Sequence, residues 1–295
     1  MKYHLIIFAI AILCISCSDE KTQKDTFKKA TVEENSSKEG LGQINSQKFE
    51  YTSYIQNLDV TDLGSIDKAL LRLKEENIEE PENIKDTLYT VFINFYADVL
   101  EYHDGRFKEF LNQESTHSLD SLENAIISTG LIIDGCEGFK YINEDPNFLY
   151  KNAVGFVSSS IEEYLSLRKN ELTAGIFGCE GWPEIDFLEA GTRTLKIEKY
   201  LLKYPYSSYY SSVKKMYNDY IFFLTNDFMT FQLDMHWNKN DTLYLDEEIL
   251  QTLVTLKDSI QIDSTKSQID LLVTKLDKNN YVLSGDLYRN VYSKK

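Results

Sequence analysis

The sequence predicts an all-α protein, a multi-helix bundle or irregular helical array, and three observations carry that expectation. From about residue 48 onward apolar residues recur at the 3.6-residue period of a helix over long windows, while windows of strict alternation are few. Wound at about 100° per residue, the longer windows each gather their apolar side chains on one arc. The body, about 250 residues over 48–295, has the length of one large helical domain or two packed bundles.

Ser65 is placed to cap a helix over 66–76. A longer helix follows Pro81, with Ile84, Leu88, Val91, Phe92, Phe95 and Val99 on one face. Further helices are expected over 119–128, 147–172, 184–203, 207–225, 246–257 and 266–276. Residues 226–245, with His236, Trp237 and Asn240, lack the helical period and read as one long loop or short hairpin, a place where the domain could subdivide. No fixed-period array is present.

Two of the predicted arcs contain a charge. Residues 147–172 gather Tyr150, Val154, Val157, Ile161, Tyr164, Leu165 and Leu172, with Arg168 in the middle and Glu171 near the edge. Residues 184–203 gather Phe187, Ala190, Thr194, Leu195, Ile197, Leu201 and Leu202 around Glu198. A buried charge is expensive unless paired and hydrogen-bonded, so each needs partners inside the bundle. Counted from the connecting turn, the two lie at depths that differ by roughly 13 Å at 1.5 Å per residue, so they are not expected to pair with each other. Structural pairing is the first reading of Arg168 and Glu198, and a ligand-facing role is the second. The stripe of Tyr206, Tyr209, Tyr210, Val213, Met216, Tyr217, Tyr220, Ile221 and Leu224 reads as core whose hydroxyls reach polar partners.

A short turn is duplicated. Gly135-Cys136-Glu137-Gly138-Phe139 recurs 43 residues later as Gly178-Cys179-Glu180-Gly181-Trp182. Glycine-flexible turns let two backbones approach, and Cys136 and Cys179 are the only cysteines outside residues 1–17, so a disulfide between them is expected. Closing such a loop stabilises by about 4 kcal/mol in the chain-entropy view. The alternative makes Glu137 and Glu180 a carboxylate pair flanked by Phe139 and Trp182, as a sugar-binding cleft or an enzyme acting on glycans would require.

Forty-seven acidic residues against 31 basic give a formal net charge of −16, and no stretch clusters Lys and Arg, so nucleic acid is not an expected partner. His103, His117 and His236 show no zinc-helix spacing, and phosphate loops, nucleophile elbows and EF-hands are absent from the sequence. No metal and no cofactor is expected.

At the start of the chain Lys2 and His4 lead into the apolar run 5–15, which Ser16-Cys17 closes. Eleven residues are too few to span a bilayer, which takes about 20. The stretch resembles a bacterial lipoprotein signal, with Cys14 at the position three before Cys17 that such signals usually fill with an aliphatic residue. The resemblance implies removal of residues 1–16, lipidation of Cys17 and attachment to the membrane through that lipid. Polar residues 18–47 then read as a tether, and Ser18-Asp19-Glu20 resembles a short acidic signal for the outside of the outer membrane. The expected protein is an outer-membrane lipoprotein, periplasmic or surface-exposed, whose helical body binds an envelope protein, a glycan or a small polar ligand.

Overall fold

The computed structural model describes residues 49–77, 79–111, 119–136, 138–176, 178, 184–227 and 243–283. A leading helical segment over 49–56 is followed by α1 (Ser65–Asn77) and α2 (Glu82–Leu111). Next come α3 (Leu119–Ile127), strands β1 (Leu131–Cys136) and β2 (Phe139–Glu144), α4 (Phe148–Ala153) and α5 (Ser159–Thr173). The chain continues through α6 (Phe187–Lys203), α7 (Tyr210–Phe222) and a π-helical turn (Phe223–Asp227). It closes with β3 (Leu243–Tyr244), α8 (Glu247–Ser259), α9 (Asp263–Lys278) and β4 (Val282–Leu283).

The protein is mainly helical, and one core runs through it. On α2 the expected face is buried at Ile84, Leu88, Phe92, Phe95 and Val99, while Val91 is only partly covered. That helix packs on α1 and on β2; α6 packs on α7 and α8, and α8 on α9. Residues on both sides of 228–242 belong to the same core cluster. Local chemistry sets several helix starts. Asp186 caps α6 by accepting from the amide of Glu189 at 2.7 Å, and Asp246 caps α8 by accepting from that of Glu248 at 2.8 Å.

Strands correct the all-α expectation. β1 and β2 form an antiparallel hairpin in register from Leu131↔Glu144 to Cys136↔Phe139. The first copy of the duplicated turn thus falls at the end of β1 and the start of β2, in the hairpin between α3 and α4. Ile132, Ile133 and Ile142 favour an extended backbone, but each strand is six residues long, too short to build a periodic window. Most of the segment expected as a loop or short hairpin, 228–242, lies outside the described residues; just after it Leu243 and Tyr244 pair with Leu283 and Val282 at the far end of α9. His236, Trp237 and Asn240 lie outside the described residues.

The single helix expected over 147–172 is two helices. Val154 caps α4, Gly155 follows with φ +75°, and extended Ser158 starts α5. A glycine just past a helix end and a serine just before the next one are stop and start signals that override apolar periodicity. Val154 is exposed as a result. Tyr206, expected in the tyrosine stripe, lies in the turn before α7 and is also exposed, as is Leu202 near the end of α6.

Gly130 locks the hairpin to the helices. Its φ is +81°, and a Cβ there would lie 2.3 Å from the ring of Phe148. Its carbonyl accepts from the Tyr96 hydroxyl at 2.7 Å and from the Asp145 amide at 3.0 Å, and Phe148 stacks on Tyr96 with centroids 5.7 Å apart. Gly130→Ala should destabilise by about 2–4 kcal/mol, combining left-handed backbone strain with overpacking. Gly138→Ala, with φ +84° but nothing within 4 Å of the new methyl, should cost only about 1–2 kcal/mol. Urea unfolding of both variants checks the difference.

Candidate functional site

Arg168 lies on the inner side of α5 beside buried Ile161, Tyr164 and Leu165. Its Nε donates to Oε1 of Glu144 at 2.9 Å and its Nη2 to Oε2 at 2.8 Å, a two-pronged ion pair with side chains 18% and 5% exposed. Tyr89, Tyr96 and Tyr164 lie close to the pair. Tyr164 stacks on Tyr209 at 4.0 Å between centroids, and Tyr89 and Tyr96 donate to the carbonyls of Leu149 and Gly130. Burial, followed by other nearby groups including the Glu144 carboxylate, holds the Tyr89 and Tyr96 hydroxyls well above their ordinary pKa. Such a fork, made by a β-strand end and a helix, fixes the hairpin on α5.

Glu198 is buried as expected, at 3% exposure. Its donors are neutral. The Tyr217 hydroxyl reaches Oε1 at 3.2 Å, the Gln261 amide reaches both oxygens at 3.1 and 3.2 Å, and the Ile262 amide reaches Oε1 at 2.9 Å. Ile262 is the residue at the start of α9, so the carboxylate sits at the partly positive end of that helix. Arg168 and Glu198 thus have separate partners, in line with their unequal depths.

A third cluster joins α5, α6 and α7. The Tyr220 hydroxyl donates to Oε1 of Glu171, and Arg193 lies 3.5 Å from the same oxygen. Arg193 also donates through Nη1 to the carbonyls of Ala174 at 2.6 Å and Asn170 at 3.2 Å, closing the end of α5, and through Nε to Glu189 at 2.7 Å. Burial raises the Glu171 carboxyl above the ordinary carboxylate range, outweighing the Tyr220 and Arg193 contacts that lower it. The arc places Glu171 near its edge and the stripe places Tyr220 among core tyrosines that reach polar partners, but their meeting with Arg193 needs the chain reversal between α5 and α6.

The duplicated turn gives less. Phe139 opens β2 and is 75% exposed, so it packs no core. Cys136 ends β1, whereas Glu137, Cys179, Glu180 and Trp182 lie outside the described residues, and with them the expected disulfide and carboxylate pair.

A groove of about 300 Å³ lies between α7 with its π-helical extension and the first turns of α9. Lys214, Asn218, Ile221, Phe222 and Asn226 form one wall, and Ser264, Thr265 and Gln268 the other. Lys214, Asn218, Phe222 and Asn226 recur every four residues, so they share one side of the helix and its extension. Phe222 remains 54% exposed. Gln268 donates through Nε2 to the Thr225 hydroxyl at 3.0 Å, and that hydroxyl donates to the Ile221 carbonyl at 2.7 Å, so the amide plane is held in advance. The sequence carries no signal for this groove, because most of its polar residues lie on solvated faces and meet only across two helices.

No protein-family model, curated protein or solved structure matches the chain. Among the described residues no group of three or more His, Cys, Asp or Glu could hold a metal ion, and no helix is long and apolar enough to cross a membrane.

Two measurements probe the buried charges. Arg168→Met or Glu144→Gln alone should each destabilise by about 3 kcal/mol, since each strands a buried partner, whereas the double change Arg168→Met with Glu144→Leu should cost much less. Chemical denaturation of the three variants closes the cycle. For Glu171 the folded pKa exceeds the unfolded one, so its contribution to stability is complete below the ordinary carboxylate pKa and is lost as pH rises through the folded value. Glu171→Gln should therefore gain stability relative to the wild type as pH rises above the ordinary carboxylate range, which paired thermal melts at a series of pH values would show.

Proposed function

We propose that the protein is a lipid-anchored envelope lipoprotein whose helical body binds a small polar ligand or another envelope component without catalysis. The lining of the α7–α9 groove carries the binding half of this reading. Three carboxamides, two hydroxyls and an open aromatic face supply hydrogen bonds and a stacking surface. Neither the amides nor the hydroxyls titrate near neutral pH, so this lining suits holding a ligand better than moving protons. The interior charges support the same reading. Arg168, Glu144, Glu198 and Arg193 are engaged by one another, by backbone groups and by tyrosine, and so serve the fold.

The membrane half rests on residues 1–17, with a charged start, a short apolar core and Ser16-Cys17. Several acyl chains on one cysteine anchor a protein far more firmly than a single myristate does. On this reading the body faces the periplasm or the cell exterior.

Mass spectrometry of the N-terminal peptide from membrane-extracted protein tests the anchor. The expected peptide starts at Cys17 and carries acyl chains, and the protein partitions into detergent. Cys17→Ser should move it to the aqueous phase. An unmodified Cys17, or cleavage elsewhere, would overturn the anchor and the localisation together.

A further inference from the structure

The groove between α7 and α9 has a chemical bias that narrows its ligand. In a chain of net charge −16, the described lining contains no carboxylate and one cation, Lys214. The Lys214 ammonium lies 4.8 Å from the centroid of the Tyr217 ring, a contact that restrains it over an aromatic face. Asn218, Asn226 and Gln268 each offer a donor and an acceptor on one plane, the arrangement that matches vicinal hydroxyls. Phe222 supplies an exposed ring against which the apolar face of a pyranose can lie. The groove's volume is at the small end of the range for ligand sites, about 300–1,000 Å³, and has room for a short saccharide.

The π-helical turn contributes to this surface. A π turn is rare and recurs at functional sites, and here it begins directly after Phe222. Widening the helix at that point carries Asn226 onto the side shared by Lys214, Asn218 and Phe222, while Thr225 turns inward to hold Gln268.

We propose that this groove binds a short acidic saccharide, a uronate-containing sugar whose ring stacks on Phe222, whose hydroxyls bond to Asn218, Asn226 and Gln268, and whose carboxylate meets Lys214. The proposal rests on the binding half of the function proposed above and names the ligand class and the place. It uses residues separate from Glu137 and Glu180, and needs no bond to break.

The test is saturation-transfer NMR and calorimetry on the full lipidated chain in detergent micelles, with digalacturonate as probe and cellobiose as the neutral control. Digalacturonate should bind, and Phe222→Ala should weaken it by about tenfold, the scale of a lost stacking contact. Asn218→Ala, at an exposed position, should weaken it as well, with unchanged thermal melts showing that both variants fold. Lys214→Met should weaken digalacturonate while leaving any residual cellobiose binding as it was. Absence of digalacturonate binding at millimolar concentration, equal binding of cellobiose, or full binding by folded Phe222→Ala would each overturn the assignment. A lipidated protein that fails here but co-purifies stoichiometrically with another envelope component would keep the proposed function and lose the groove.

Discussion

The carboxylate of Glu198 organises the second half of the molecule. It is buried and takes its hydrogen bonds from neutral donors on two other elements, the Tyr217 hydroxyl of α7 and the amides of Gln261 and Ile262 at the start of α9. A charge removed from water holds its donors tightly, because losing one exposes the full desolvation penalty. Tyr217 lies one helical turn from Lys214 and beside Asn218, and Ile262 lies two residues before Ser264. One side chain on α6 therefore sets the spacing of both walls of the groove without lining it. The start of α9 gains from this as well, since a carboxylate at a helix N-terminus satisfies amides that the helix leaves open and opposes its dipole.

The first half solves the same problem by a different route. Glu144 ends a strand, where no helix terminus supplies spare amides, and its counter-charge comes from the Arg168 fork. Replacement of such pairs by apolar residues is often neutral in energy, whereas removing one partner is costly, so what the fork supplies is a fixed contact between the end of β2 and α5. Orientation is reinforced by Gly130, whose carbonyl accepts from Tyr96 of α2 and whose missing side chain admits the Phe148 ring. Hairpin, α2, α4 and α5 are locked together by a few polar contacts inside an otherwise aromatic and aliphatic core.

What was legible in the sequence follows from the range of each interaction. Helices longer than about three turns announced themselves through period, and within them the burial of Arg168 and Glu198 was readable because an arc assigns a face before any partner is known. Partner identity was not readable: Glu144 lies 24 residues before Arg168 and Ile262 lies 64 after Glu198, separations fixed only by chain reversals. The strands escaped for a related reason, six residues each being too short for a period, although the isoleucines of β1 and the glycine at the hairpin tip are the residues a hairpin needs. At Gly155 and Ser158 local stop and start chemistry was present in the sequence and outranked the periodicity that runs across it. The groove was invisible for a stronger reason. Exposed asparagine, glutamine and serine have no pattern of their own on a helix, and become a site only when Lys214, Asn218 and Phe222 face Ser264 and Gln268.

The division of polar chemistry between interior and surface then has a physical logic. Charged groups are strong in a low-dielectric interior, where geometry is fixed and water does not compete, and there the chain uses Glu144, Arg168 and Glu198 to join helices and strands. At an open groove the same charges would be screened by salt within about 10 Å and would change with pH. Carboxamides and hydroxyls keep their donor and acceptor pattern across that range. On the proposed reading, recognition built on Asn218, Asn226 and Gln268 would thus hold as pH and salt vary, while Lys214, the one cation of the described lining, would add selectivity for charge instead of bulk attraction. Under that proposal the strongly acidic remainder of the chain would work in the opposite direction, repelling polyanions at long range, so that a small acid able to reach that lysine would gain from it.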